Sequence, residues 1–410
     1  MEFVAMLMVS LAMWLPGAGT PEQRAVPPLP PPFCGELAET DCQLLVDAQE
    51  LMADVESMAL AWQVEAAVSG IPDVADEDMM FGMEMDMNLH LDPMLNEQMR
   101  ALATGNPVDL LAAQEELAQG VVDLYANLAI DLDMQLALPG VLLQALEADE
   151  DVALPDTITM QMRMVDGYAY INMDVLAESM PEIVAEMEPE GIEGWIGFDF
   201  IGQLEQQLSR TAPDTSMLES IQMGMAFNQM TTDESIRTLL EPYISVERLE
   251  DEVREGVPVA VFRTSFDLAR MVSNPSFTRM LRKAADAIVA ASGETVDPQE
   301  LGTGILGVQL LANVLARSFE FQYVQSIGIE EPYLYDFSTS LAMDLDGLIT
   351  LLSMGGEDLP PELLGAKPVF NFTLDGSYTD FDSAPAVEAP EDAEIIPLDS
   401  LDQDSTNIIS

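Results

Sequence analysis

Lysine is nearly absent: Lys283 and Lys367 are the only two in 410 residues, and His90 is the only histidine. Basic residues of every kind number 14 against 73 acidic ones, a formal net charge of −59. A surface this negative repels phosphate backbones and anionic headgroups, which excludes nucleic acid as a partner. The acidity reads as a solubilising coat on a chain rich in apolar surface, with salt adaptation and cation binding as the alternatives. A single histidine leaves a Ser-His-Asp triad only His90, which falls on the polar side of an alternating segment between Asn88 and Asp92. There is no G-x-S-x-G, no Gly-rich phosphate loop and no H-E-x-x-H. With 73 acids, paired carboxylates are inevitable and none is distinguished by its neighbours. No enzyme and no cofactor is expected. Asp73, Asp76, Glu77 and Asp78, and Asp344 with Asp346, lack the spaced order of a calcium loop, so no metal site is assigned.

Cysteine is scarce too. Cys34 and Cys42 are the only pair, which in an exported chain favours a disulfide, and closing so short a loop would stabilise by about 2.5 kcal/mol. Residues 3–16 form an apolar run followed by Gly17, Ala18 and Gly19, so residues 1–20 read as a signal-like segment too short for a membrane span. Residues 21–33 are a proline-rich linker. The domain is expected over 34–393, with a candidate hinge at 210–232, and residues 394–410 as a loose acidic tail. The expected location is extracytoplasmic, secreted or associated with the cell envelope.

What the chain has in quantity is apolar side chains, 49% of residues, arranged with a period of two. Phe81, Met83, Met85, Met87, Leu89 and Leu91 alternate with Gly82, Glu84, Asp86, Asn88, His90 and Asp92. A helix cannot place that set on one face; a strand does. The pattern recurs in Val122–Leu138, in Thr157–Met164 and in shorter or later runs at Tyr168–Met173, Trp195–Phe200, Ile244–Glu252, Val257–Phe266, Phe319–Ile329, Tyr333–Leu345 and Val369–Tyr378. One buried and one wet face argues for antiparallel pairing. Asp166-Gly167 and Glu255-Gly256 are hairpin turn signals. Helical spacing predicts a first helix over Glu39–Met58 and others over Val175–Met187, Ile201–Ser209, Asp233–Leu240 and Ser276–Ala291. The helix predicted over Gln299–Arg317 is apolar almost all round and is expected to lie deep.

Methionine is unusually common, at 28 residues. It is flexible and polarizable, and it suits surfaces that adapt to varied apolar partners as well as ordinary cores. The candidate lining of a ligand cavity is therefore Met83, Met85, Met87, Leu132, Met134, Met160, Met162 and Met164 on the strands, with Phe321, and Ile305, Leu306 and Leu310 from the apolar helix.

Three segments carry a resemblance. The first is Asp166-Gly167-Tyr168-Ala169-Tyr170-Ile171, with Gly194-Trp195-Ile196-Gly197-Phe198-Asp199 after a helix. The second is the strand pair Val246–Asp267. The third is the ending Phe372–Asp382, then Val387-Glu388-Ala389-Pro390 and Asp392-Ala393. Together they resemble the bacterial LppX/LprG-type lipoproteins and the wider LolA-like carriers. The resemblance implies an α+β fold: a large curved antiparallel sheet, a half-barrel, with helices on its concave face around a cavity for acyl chains. It implies no catalysis. The expected partner is a lipid or other apolar small molecule, with peripheral contact to a membrane and no named protein partner. The alternative is a structural or protein-interaction module of the cell surface with a solid core.

Overall fold

The structure is a computed structural model and describes residues 32–71, 79–91, 122–123, 125–141, 143, 155–181, 184, 194–202, 204, 238, 240–279, 282, 298–354 and 366–396. The signal-like segment, nearly all of the linker, the hinge at 210–232 and the acidic loop at 73–78 lie outside these residues, as do most of the helices expected at 201–209, 233–240 and 276–291.

The expected alternation becomes one open, mostly antiparallel sheet of thirteen strands. Its first half is a meander: β1 (Ser57–Ser69), β2 (Met80–Leu91), β3 (Leu128–Ala137), β4 (Thr157–Val165), β5 (Tyr168–Asn172) and β6 (Trp195–Asp199) run outward to one edge. The second half starts at the opposite edge with β7 (Ile244–Arg248). It runs inward through β9 (Val257–Phe266), β10 (Phe319–Gly328) and β11 (Leu334–Asp344) to β12 (Val369–Thr379), with β8 (Glu252–Arg254) paired to β9. The halves join where β12 lies antiparallel to β1, with Leu60 opposite Tyr378 and Val64 opposite Leu374. The two edges do not pair with each other, so the sheet stays an open half-barrel. Both predicted hairpin turns form. Asp166 and Gly167, and Glu255 and Gly256, have positive φ, the backbone that a tight two-residue connection requires.

Three expectations change at the level of elements. The first helix, α1, stops at Met52 (Glu39–Met52), and Met58 belongs to a strand. Met58, Leu60, Trp62 and Val64 do alternate, but Ala59, Ala61, Ala66 and Ala67 blur the pattern because alanine fits a helix as readily as a pleat. The long strand expected from Val122 begins at Leu128. Residues 122–123 and 125–126 are helical, and the Asn127 side-chain amide donates to the Asp123 carbonyl at 2.8 Å. The strand expected over Ile244–Glu252 is divided into β7 and β8.

Helices pack on the apolar face. Leu45 and Ala48 of α1 bury against Val246, Ala260, Phe262 and Ile327. The Cys34–Cys42 disulfide is formed, with Cα atoms 5.3 Å apart, and ties the entry of α1 to its first turn. Asp41 of α1 also pairs with Arg248 on β7. Helix α2 (Met173–Ser179) is capped by Asn172, whose side-chain oxygen accepts from the Asp174 and Val175 amides. It buries Met173 and Leu176 against Ala169, Ile196 and Phe198. Three further helices, α3 (Leu268–Val272), α4 (Pro298–Leu315) and α5 (Asp346–Met354), lie at the end of the sheet where β10 begins and β11 finishes.

The polar face is crossed by a strap. After β12 the chain turns at Asp380 and Asp382, both at positive φ. Asp382 accepts from the Glu56 amide at 2.7 Å, and its own amide donates to the Ser57 carbonyl. Further on, His90 Nε2 lies 2.7 Å from the Pro385 carbonyl, and Arg163 donates to the Glu388 carbonyl. The Ile396 amide donates to Gly197, and β13 (Glu394–Ile395) pairs in parallel with β6. The segment thus touches β1, β2, β4 and β6 in turn. His90, expected as a plain surface residue, is half-buried and tied to this strap. Glu394–Ile396 belong to the segment expected as a loose tail, whose remainder lies outside the described residues.

Candidate functional site

The registers place the expected lining residues in transverse rows on one face. Ile171, Met162, Leu132, Met87, Leu60 and Tyr378 form one row across β5, β4, β3, β2, β1 and β12. Met160, Met134, Met85, Trp62, Gly376 and Phe337 form the next, extending onto β11. Gly376 is needed there, because a Cβ would stand 2.4 Å from the Phe337 ring and 2.8 Å from Trp62. The two rings meet edge to face over that gap, with centroids 6.4 Å apart.

Toward this end of the face the packing is close. Met85, Met87, Leu132, Met134, Met162 and Met164 are exposed by 3% or less, and Met160 by 8%. A void able to hold water would leave accessible area on the side chains that border it. Met85, Met87, Met162 and Met164 share one buried cluster with Met52, Val55, Val122, Leu204 and Tyr125, and the Tyr125 ring meets Phe200 at 5.3 Å. Burial pushes the Tyr125 phenol above its ordinary range, as it does Tyr378. Each such side chain contributes about 1.5–3 kcal/mol by leaving water. The residues expected to line a cavity are here side chains of the core.

Further along the same strands the face changes character. Phe81, Ala66, Phe372, Leu341 and Phe321 lie opposite one another across β2, β1, β12, β11 and β10. Val68, Phe370, Met343 and Phe319 form the last row. All nine are only half-buried. Here the sheet carries a continuous apolar band, chiefly phenylalanine, that its helices do not seal. Of the expected lining residues, Phe321 is in this band, and Met83, also half-buried, is one row away opposite Val64. The band was not singled out from sequence. Its signal was present in the alternation of Phe319, Phe321 and Tyr323 and of Phe370, Phe372 and Leu374.

Two polar groups border the band. Tyr323, between it and the Trp62 row, is pushed up to about 12 by burial. The Trp62 indole N–H is buried and meets no acceptor among the described residues. An unanswered buried donor costs about 1–3 kcal/mol.

Helix α4 does not lie deep. Val308 and Leu310 are 51% and 52% exposed, and the side chains of Ile305 and Leu306 lie outside the described residues. The helix seats its other side, Ala312 with the following Ala316, against Met271, Phe277 and Phe266, so its apolar character is shared between a shallow seam and solvent. Leu310 therefore stands apart from the sheet residues it was grouped with.

A groove of about 830 Å³ lies outside this band, where the tip of the β8–β9 hairpin overhangs Ala61, Gln63, Glu84, Asp86, Asp375 and Ser377. Arg254 closes it by pairing with Glu252 and Asp336. Among the described residues no cluster of three or more His, Cys, Asp or Glu is arranged to hold a metal, and no helix is long and apolar enough to cross a membrane.

No protein-family model matches the chain, and no curated protein does. Solved structures do. This fold is similar to two mycobacterial proteins. One is LprF from Mycobacterium bovis, at 8% identity and a TM-score of 0.31 over 85% of this chain and 95% of that one. The other is the Mycobacterium tuberculosis lipoprotein LppX, at 6% identity and a TM-score of 0.25 over 84% and 97%.

Proposed function

We propose that the chain is a non-catalytic, extracytoplasmic binder or carrier of a lipid-like molecule, held against the half-buried aromatic band. The observation that carries this reading is the band itself. Nine half-buried apolar side chains stand in two rows on five strands, in a protein whose methionine rows farther along the same face are closed. Leaving such area wet is unfavourable by about 25 cal/mol per Å² unless something covers it. An acyl chain is long and narrow enough to lie along the rows, and an ester or carboxyl oxygen would answer the Trp62 N–H. The formed disulfide supports an oxidising location.

The alternative, a structural module with a solid core, has the tight methionine rows on its side. Native mass spectrometry of gently purified protein and titration with a fluorescent fatty acid separate the two. Co-purifying lipid and saturable binding are expected, with Trp62→Phe weakening the fatty acid about tenfold, the loss of one buried hydrogen bond. No lipid and no fluorescence change would leave the structural reading in place.

A further inference from the structure

The net charge of −59 is not spread evenly. Residues 268–317 hold five bases, Arg270, Arg279, Arg282, Lys283 and Arg317, against four acids, Asp286, Glu294, Asp297 and Glu300. The other 360 residues hold 69 acids and 9 bases. This segment stands outside the acidic coat, and Leu301–Ala316 carries no charge at all.

The fold gathers the described residues of the segment, 268–279, 282 and 298–317, at one end of the sheet. Met271, Val272 and Phe277 pack with Ala312 and Ala316, and the Gln309 side-chain amide donates to the Thr278 hydroxyl at 2.9 Å. With Gln309, Ala312 and Ala316 turned to that seam, Val308 and Leu310 on either side of Gln309 remain half in water. Arg270, Arg279, Arg282 and Arg317 are exposed on the chain that flanks this seam, with Asp267 and Glu320 exposed just beyond its two ends. Ion pairs among the described residues are made by Arg163, Arg248, Arg254 and Arg263 instead. Phe319, the first residue of the aromatic band, follows directly after α4 and Arg317.

We infer that this arginine-flanked, apolar end of the molecule, α4 with residues 268–279 and Arg282, docks onto an anionic lipid bilayer. Apolar side chains that enter the acyl boundary, ringed by cations that meet phosphate, are what an interfacial helix presents. The acidic remainder does not prevent contact. At about 0.15 M salt, charges more than roughly 8 Å away are screened, while arginines at the surface still act. The acidic body instead sets the orientation, because every other side is repelled. A second copy is a poorer occupant, since it would bring arginines against arginines and another −59 body alongside. Docking would give the bound molecule its route to the band, and in that purpose it builds on the binding role proposed above.

The test is flotation of the full chain with vesicles of phosphatidylcholine alone and of phosphatidylcholine with about 30% phosphatidylglycerol, at about 0.15 M salt. Flotation with the anionic vesicles is expected. Val308→Glu with Leu310→Glu should reduce it at least tenfold, and Arg279→Gln, Arg282→Gln and Arg317→Gln together should remove the preference for anionic vesicles. All these side chains are exposed, so the variants should melt like the parent. Fatty-acid titration without vesicles should be unchanged in all of them. If wild type floats but binds no fatty acid, the ligand reading falls and docking stands. If it binds fatty acid but floats with neither vesicle, or if the glutamate variant floats like wild type, docking is overturned. A concentration-dependent dimer in sedimentation that Val308→Glu and Leu310→Glu abolish, with no flotation, would likewise overturn it in favour of a second copy.

Discussion

The same strands carry two different surfaces on one face. Where β1 to β4 bring Met85, Met87, Leu132, Met134 and Met162 together, side chains are almost wholly buried. A few residues along, Phe81, Phe321, Phe370 and Phe372 are half in water. Backbone pairing is continuous through both, so the sheet itself does not distinguish them. The difference is in the cover. Tyr125, Val122, Leu204 and Met52 close the first region, whereas α4 seats Ala312 and Ala316 on Met271 and Phe277 and leaves the second half-buried. Methionine is frequent in the closed rows and phenylalanine in the open band, although Met343 belongs to the band and Phe337 to a closed row.

The comparison can be broken from either side, and the largest effect should come from the closed region. Leu132→Ala is expected to lower unfolding free energy by about 2–5 kcal/mol, seen as a shifted urea midpoint, with fatty-acid affinity unchanged below the transition. Phe372→Ala and Phe321→Ala should each cost only about 1–2 kcal/mol in the same melts, because less area leaves water there. They should weaken fatty-acid binding about tenfold. If the two sets exchanged phenotypes, the site would have to be moved back to the methionines. Met134→Leu with Met160→Leu sharpens the point. Near-equal volume predicts a change under about 1.5 kcal/mol and no change in affinity, whereas a plastic methionine pocket would lose ligand range.

A pH dependence should appear at the boundary, confined to alkaline conditions. Tyr323 titrates at about 12 when folded and at its ordinary value of 10.0 when unfolded. Its contribution to stability is complete below pH 10 and is lost as pH rises toward 12, because only the unfolded chain ionises readily. Melting temperatures taken from pH 9 upward should fall, and Tyr323→Phe should flatten that slope.

Much of the architecture can be read from alternation, because a period of two admits a single backbone. Phe319–Gly328, Leu334–Asp344 and Val369–Thr379 appear within a residue or two of their expected limits. Ser57–Ser69 was hidden by its alanines, although it is the strand that joins the halves. The site was less readable for a different reason. Alternation shows which face is apolar, but exposure along that face depends on which helices reach over it. An apolar helix reads the same whether it is sunk in a core or lying at a surface. The half-exposed Val308 and Leu310 are the case in point. Charge was a better guide than hydrophobicity there, since the neutral segment at 268–317 is visible in the sequence once composition is taken by region rather than over the whole chain.

The pairing of β1 with β12 also sets the order in which the molecule can be made. Ala59 faces Thr379, 320 positions along, so the seam between the two meanders cannot zip until both halves of the sheet have been synthesised. Closing so long a loop before any contact rewards it makes assembly slow.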